Sequence, residues 1–272
     1  MLQASHTALS HDPRKQFSLG MPLVFVVASV LALLLFLPGP SVLARLQWLD
    51  SGICAQILSH SFYPGGMRLP LCARNTGIYL GFFVTLVTLY ATGRGRAQQL
   101  PHWSIIALLA CGVAALAVDG FNSLLLDLGH AHLYQPDNLL RLITGLATGL
   151  ALALLFPPLL NRLFWCGYNG QRIIPSWRMF LLLLPALLAC FFLVSSQAAW
   201  TLYPLAYMST AGVLTMLSSL NMIGIVAASK RDETFVSYRE LLPLFAIALL
   251  LAVGEMLLLA QGRVLVLHVL GV

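Results

Sequence analysis

Apolar residues run through this chain in blocks long enough to cross a membrane, separated by short polar stretches. Such blocks occur at 22–37, 75–90, 103–126, 139–160, 179–195, 200–228 and 241–259, each near the roughly 20 residues that a hydrocarbon core about 30 Å thick demands of a helix. The pattern predicts an all-α polytopic membrane bundle of about seven transmembrane helices. The first block is short, follows Arg14 and Lys15 and precedes Val42-Leu43-Ala44, so a cleaved signal peptide is its competing reading. Between the first two blocks, 38–72 carries Trp48, Ile53, Ile57 and Phe62 among polar residues and then a Pro64-Gly65-Gly66 turn. This spacing predicts an outer segment, amphipathic or re-entrant. No internal repeat or linker divides the chain, so 1–272 reads as a single integral membrane domain with a cytoplasmic tail over 1–20.

Composition agrees with this pattern. Apolar residues make up 59% of the 272 positions and charged residues 9%, against roughly 45–50% and about 25% in soluble domains, which excludes a water-soluble globule. The formal charge of +6 resolves into an orientation once it is sorted by loop, because basic residues are retained on the cytoplasmic side. With the N-terminus cytoplasmic, the inner segments hold ten basic residues, Arg14, Lys15, Arg94, Arg96, Arg162, Arg172, Arg178, Lys230, Arg231 and Arg239. The outer segments hold three, Arg45, Arg68 and Arg263. The C-terminus is then outside, in the inner (plasma) membrane of a bacterial cell. Topogenesis accounts for the positive charge, and no nucleic-acid partner is expected; the expected partners are the lipid bilayer and other membrane-protein subunits.

Ionisable residues inside spans cost roughly 2.5–3.5 kcal/mol on insertion scales and so face the bundle interior, paired. Asp119 and Glu255 both fall in the outer halves of outward-running helices. Arg74 and Arg141 fall near the outer starts of theirs, so two anions and two cations are expected at one depth. Asn122 follows Asp119 by three residues, and Asn138, Arg141 and Thr144 recur at the same spacing, so each set shares a helix face. With Tyr79 these residues are the ligand-binding candidates of an outward-facing polar cavity, against which stands a purely structural ion-pair network. Gly145, Gly149 and Ala153 form a small-residue stripe that permits close helix contact. The prolines at 157, 158, 185, 204 and 243 read as kinks.

Cys54 and Cys72 both fall on the outer side, where disulfides persist, and are the disulfide candidates. Their spacing with His60, His130 and His132 matches no zinc pattern. Sequence signatures of zinc proteases, serine hydrolases, P-loop nucleotide sites and haem attachment are missing as well. The reading therefore assigns no metal and no cofactor, and leaves open whether the chain is an enzyme.

The runs Ile53-Cys54-Ala55-Gln56, His60-Ser61-Phe62 and Leu69-Pro70-Leu71-Cys72-Ala73-Arg74-Asn75-Thr76-Gly77-Ile78-Tyr79-Leu80-Gly81, with Asp119-Gly120 and Asn138-Leu139-Leu140-Arg141-Leu142-Ile143-Thr144-Gly145, resemble a prokaryotic membrane-protein family of unknown function. Its signature reads approximately CHQ, RSF or HSF, LPLCARCTGIYLG, DG and NxxRxxTG, and the resemblance spans about 54–160. It implies membership and no activity. This chain departs from it at Ala55, where the signature has His, and at Asn75, where it has Cys. Neither residue supplies a thiolate or imidazole, so the four-ligand or CxxC set that the signature implies is not intact here.

Two functions follow from these features. One is an outer polar cavity that binds an anionic or zwitterionic group such as a lipid headgroup, with Arg74 and Arg141 as its clamp and Asp119 as their hydrogen-bonding or acid–base partner, in an enzyme or a transporter. The alternative is a non-catalytic subunit or assembly factor of a larger membrane complex.

Overall fold

The computed structural model describes residues 40–270, so the block at 22–37 and the tail at 1–20 lie outside the described residues. Within them the chain is helical, with no strand and two isolated bridges, Gln99 to Arg172 and Trp165 to Phe235. The helices are α1 (Val42–Asp50), α2 (Ala73–Ala91), α3 (Trp103–Asp127), α4 (Asn138–Phe164), α5 (Trp177–Leu181), α6 (Leu184–Ser195), α7 (Leu202–Ser229) and α8 (Tyr238–Leu270). Five helical stretches are long and apolar enough to cross a membrane: α3, α4, α5 with α6, α7 with the single 3-10 turn before it, and α8.

The differences from the apolar pattern have local causes. The block at 179–195 is broken between α5 and α6, because Pro185 lacks the amide that would donate to the Leu181 carbonyl and instead takes its favoured place in the first turn of α6. Helix α8 outlasts the apolar block by eleven residues (259 to 270). The polar interruption at Arg263 is absorbed by carbonyls across the bundle: its guanidinium donates to Ser51, Cys54 and Ala55 at 3.0, 2.7 and 2.7 Å. Pro157 and Pro158 lie inside α4 without ending it.

Helix α2 starts with Arg74 and Asn75 and is less apolar than the five spans, yet it is central, packed most extensively on α4 and also on α7 and α6. Glycine makes this possible. A Cβ on Gly149 would fall 2.2 Å from the Ile78 carbonyl oxygen, and one on Gly145 would fall 2.4 Å from that of Arg74. The two backbones are in direct contact, as a small-residue stripe allows.

The loops gather at two ends. At the first lie 40–72, the α3–α4 loop and the α6–α7 turn, where the Gly65 N–H meets the Gln197 carbonyl at 3.0 Å. The segment over 40–72 is a cap: α1 followed by turns pinned by Gln56, whose amide donates to the Gln47 and Pro70 carbonyls at 2.6 and 2.7 Å. At the second end, where the α2–α3, α4–α5 and α7–α8 loops meet, Asn161 ties the α2–α3 loop to the end of α4. Its amide donates to the Gly95 and Ala97 carbonyls and its oxygen accepts from Trp165 Nε1, all within 3.0 Å. The cavity beside it, about 330 Å³, is walled by apolar side chains of α2, α4, α7 and α8.

Candidate functional site

The first end of the bundle concentrates the polar chemistry. Helix α3 presents Asp119, Asn122 and Ser123 on one face at i, i+3 and i+4, and all three are buried. Asp119 Oδ2 accepts from Arg74 Nη2 at 2.5 Å, and its Oδ1 accepts from the Tyr134 hydroxyl at 3.0 Å. Both carboxylate oxygens are therefore engaged, as an ion buried to 1% exposure requires. Ser123 Oγ lies between the two arginines, 3.2 Å from Arg74 Nη2 and 3.4 Å from Arg141 Nη2.

Arg141 is 4% exposed. Its Nη1 donates to Asn138 Oδ1 at 2.8 Å, and its Nε has no partner. Among the described residues Arg141 forms no ion pair with a carboxylate. Arg74 Nε is also unpartnered. The two guanidiniums thus share one hydroxyl, and only Arg74 holds the carboxylate. The cap adds His60, whose Nε2 is 3.3 Å from Asp127 Oδ1. Burial, then the Arg141 charge, holds its imidazole below the usual range.

The supporting residues are equally specific. Asn122 Oδ1 accepts from the Leu133 and Tyr134 amides at 2.6 and 3.3 Å, and its Nδ2 donates to the Tyr134 carbonyl at 2.8 Å. It folds the α3–α4 loop so that Tyr134 reaches Asp119. Asn138 Nδ2 donates to the Ser59 and Ser61 carbonyls at 3.0 and 3.4 Å, which joins the cap to α4.

Of the sequence-derived candidates, the structure brings together Arg74, Asp119, Asn122, Asn138 and Arg141. Three lie elsewhere. Thr144 turns its hydroxyl back to the Leu140 and Arg141 carbonyls of its own helix. Tyr79 packs with Cys54, Leu71, Val213 and Met256. Glu255 belongs to α8, whose neighbours are α7 and α1. It accepts from Asn221 at 3.2 Å, so the expected convergence of two anions on two cations is corrected to one anion with two cations. Equal fractions along two helices fix a depth but not a direction around the bundle.

Sequence reasoning missed Ser123 and Tyr134. Ser123 had a signal, four residues after Asp119; Tyr134 had none, because a loop brings it back. It also missed Asp50, fully buried at the end of α1. Nearby, Cys54 and Cys72 are both free, with the Cys72 amide donating to Cys54 Sγ at 3.3 Å.

The model of a family described as a predicted membrane protein (DUF2085) matches residues 54–155. That stretch contains Cys54, Cys72 and the whole Arg74–Asp119–Arg141 cluster, and it stops short of Asn221 and Glu255. The chain is thus a multi-pass membrane protein in composition and helix length, similar over that stretch to a family without an assigned function. No curated protein matches it. Nor does any solved structure.

Proposed function

We propose that the first end of the bundle binds an anionic or zwitterionic group, such as a lipid headgroup, with Arg74 and Arg141 as its clamp. The observation that carries this reading is Arg141: a guanidinium 4% exposed with an unpartnered Nε and no carboxylate partner among the described residues. A buried cation without a counter-ion is expensive, and an anion bridging the two arginines removes that cost. Asp119, with Arg74 on one oxygen and Tyr134 on the other, has no lone oxygen to act as a base. The reading is therefore binding, with Asp119 orienting Arg74, rather than proton transfer.

The protein, reconstituted in bilayer discs of phosphatidylglycerol and phosphatidylcholine, is expected to retain phosphatidylglycerol on release for native mass spectrometry. Arg141→Gln should abolish that preference without loss of helicity. Equal retention of the two lipids by the wild type, or an unchanged preference in Arg141→Gln, removes the reading.

We further infer that this end faces outward and the Asn161 end faces the cytoplasm of a bacterial inner membrane. What supports this is the basic residues of the second end: Arg94, Arg96, Arg162, Arg172, Arg178, Lys230, Arg231 and Arg239 all belong to it.

A further inference from the structure

Behind the arginine cluster, where α1, α7 and α8 meet the start of α2, a second group of reactive side chains is packed together. Asp50 is fully buried; its Oδ2 accepts from Thr210 Oγ1 at 2.7 Å and its Oδ1 has no partner. Cys54 lies one turn on, its amide donating to the Asp50 carbonyl at 3.0 Å. Cys54 Sγ accepts from the Cys72 amide at the head of α2 at 3.3 Å, which sets the two residues side by side. Cys54 is buried and Cys72 half-buried, so an incoming molecule meets Cys72 first.

We propose that Cys54 and Cys72 are a redox-active dithiol that exchanges with external disulfides, Asp50 taking the proton that Cys54 must release. This does not rest on the anion-binding reading. The reduced pair carries one proton between two sulfurs. Cys72 passes that proton to Cys54 and attacks the external disulfide R′S–SR′, forming a Cys72 mixed disulfide and releasing R′S⁻. Cys54 then gives the proton to Asp50 and attacks Cys72 Sγ, forming the Cys54–Cys72 bond and releasing the second R′S⁻. The proton on Asp50 leaves with that product. One thiol and one thiolate are oxidised to the disulfide and one external disulfide is reduced to a thiolate and a thiol, so electrons, charge and the single proton balance.

The environment keeps the resting charge on Cys54, so Cys72 attacks only after handing its proton across. The Cys72 thiol, with the Cys72, Gln56 and Asn75 donors, pulls Cys54 down to about 6 against the opposing effect of burial. The same thiol contact, with burial, pushes Cys72 up. Burial raises Asp50 to about 7, and the Thr210 hydrogen bond opposes it. The charged and titratable groups that face the pair are Asp50 from α1, Arg74 and Tyr79 from α2 and Arg263 from α8, while α7 contributes the neutral Thr210.

The test uses the full chain in bilayer discs, exposed to oxidised and reduced glutathione and read by mass spectrometry of digested peptides. The wild type should yield a linked Cys54–Cys72 peptide, and Cys54→Ser should accumulate glutathione on Cys72. Asp50→Asn should slow closure by about tenfold or more between pH 6 and 8. Thr210→Val, which removes the donor that lowers Asp50, should move the half-maximal pH upward. Absence of the linked peptide, or failure of Cys54→Ser to trap glutathione, overturns the exchange. Wild-type rates and pH profiles in both Asp50→Asn and Thr210→Val overturn the proton role of Asp50.

Discussion

At the scale of single residues, the molecule spends its few charges sparingly and buries them in defined company. Asp119 is the clearest case, because both oxygens are occupied and the arginine it holds is also the first polar residue of α2. Removing one partner of such a pair leaves the other buried and uncompensated. Asp119→Asn should therefore lower stability by roughly 3 kcal/mol, and Arg74→Gln by less because Arg74 is partly exposed. The double change should recover part of the sum, by about 0.5–3 kcal/mol, in a thermal-unfolding cycle in detergent. Strict additivity would show that the two side chains do not interact.

Asp50 makes the opposite prediction. Its carboxyl is raised from 3.8 to about 7, so the folded protein holds this proton more tightly than the unfolded chain does. Its contribution to stability is then greatest below about pH 4 and is lost as pH rises toward 7, by roughly 4 kcal/mol in all. Asp50→Asn should raise the melting temperature at pH 8 and flatten the pH dependence between 4 and 7. A lower melting temperature at pH 8 would contradict the burial cost assigned to this carboxylate.

At the scale of elements, the contact between α2 and α4 organises the bundle, and glycine sets its distance. A Cβ at Gly149 would meet the Ile78 carbonyl oxygen at 2.2 Å and the Phe82 nitrogen at 2.6 Å. Both are backbone atoms, so the helices themselves must move apart. Gly149→Ala is expected to cost about 1–3 kcal/mol and, by shifting the start of α2 against α4, to weaken retention of phosphatidylglycerol as well. Gly224 on α7 is the control, with nothing within 4 Å of an added Cβ. There Gly224→Ala should be neutral or stabilising by up to about 1 kcal/mol, since alanine is the better helix former. Equal effects of the two substitutions in thermal unfolding would deny the close approach any role in stability.

At the scale of the whole molecule, two ends differ in kind. One is capped by 40–72 and carries Arg74 and the buried Arg141; the other holds Asn161 and carries most of the loop cations. Native Cys166, exposed in the loop after α4, should react with an impermeant maleimide only from the cytoplasmic face. A cysteine introduced at exposed His130, in the α3–α4 loop, should react only from the outer face. Reversal of either labelling pattern would invert the orientation.

The amino-acid sequence by itself determined the class, most of the long helices and which polar residues share a helix face, because these follow from local quantities. A run of apolar side chains must be buried in hydrocarbon or protein wherever it lies, and its length reads directly as a helix: the ends of α2, α3 and α4 fall within four residues of the apolar pattern. Residues at i, i+3 and i+4 share a face whatever that face meets, so Asp119 with Asn122 and Asn138 with Arg141 were legible. Only the tertiary structure decided what each face meets. Rotation about the helix axis, set by the Gly145 and Gly149 contact with α2, aims Arg74 at Asp119 and leaves Arg141 without a carboxylate among the described residues. The packing of α8 on α7 and α1 gives Glu255 to Asn221 instead. The fold of the cap brings Asp50, Cys54 and Cys72 together across a turn and a loop, because contacts between elements depend on backbone paths that no local periodicity encodes.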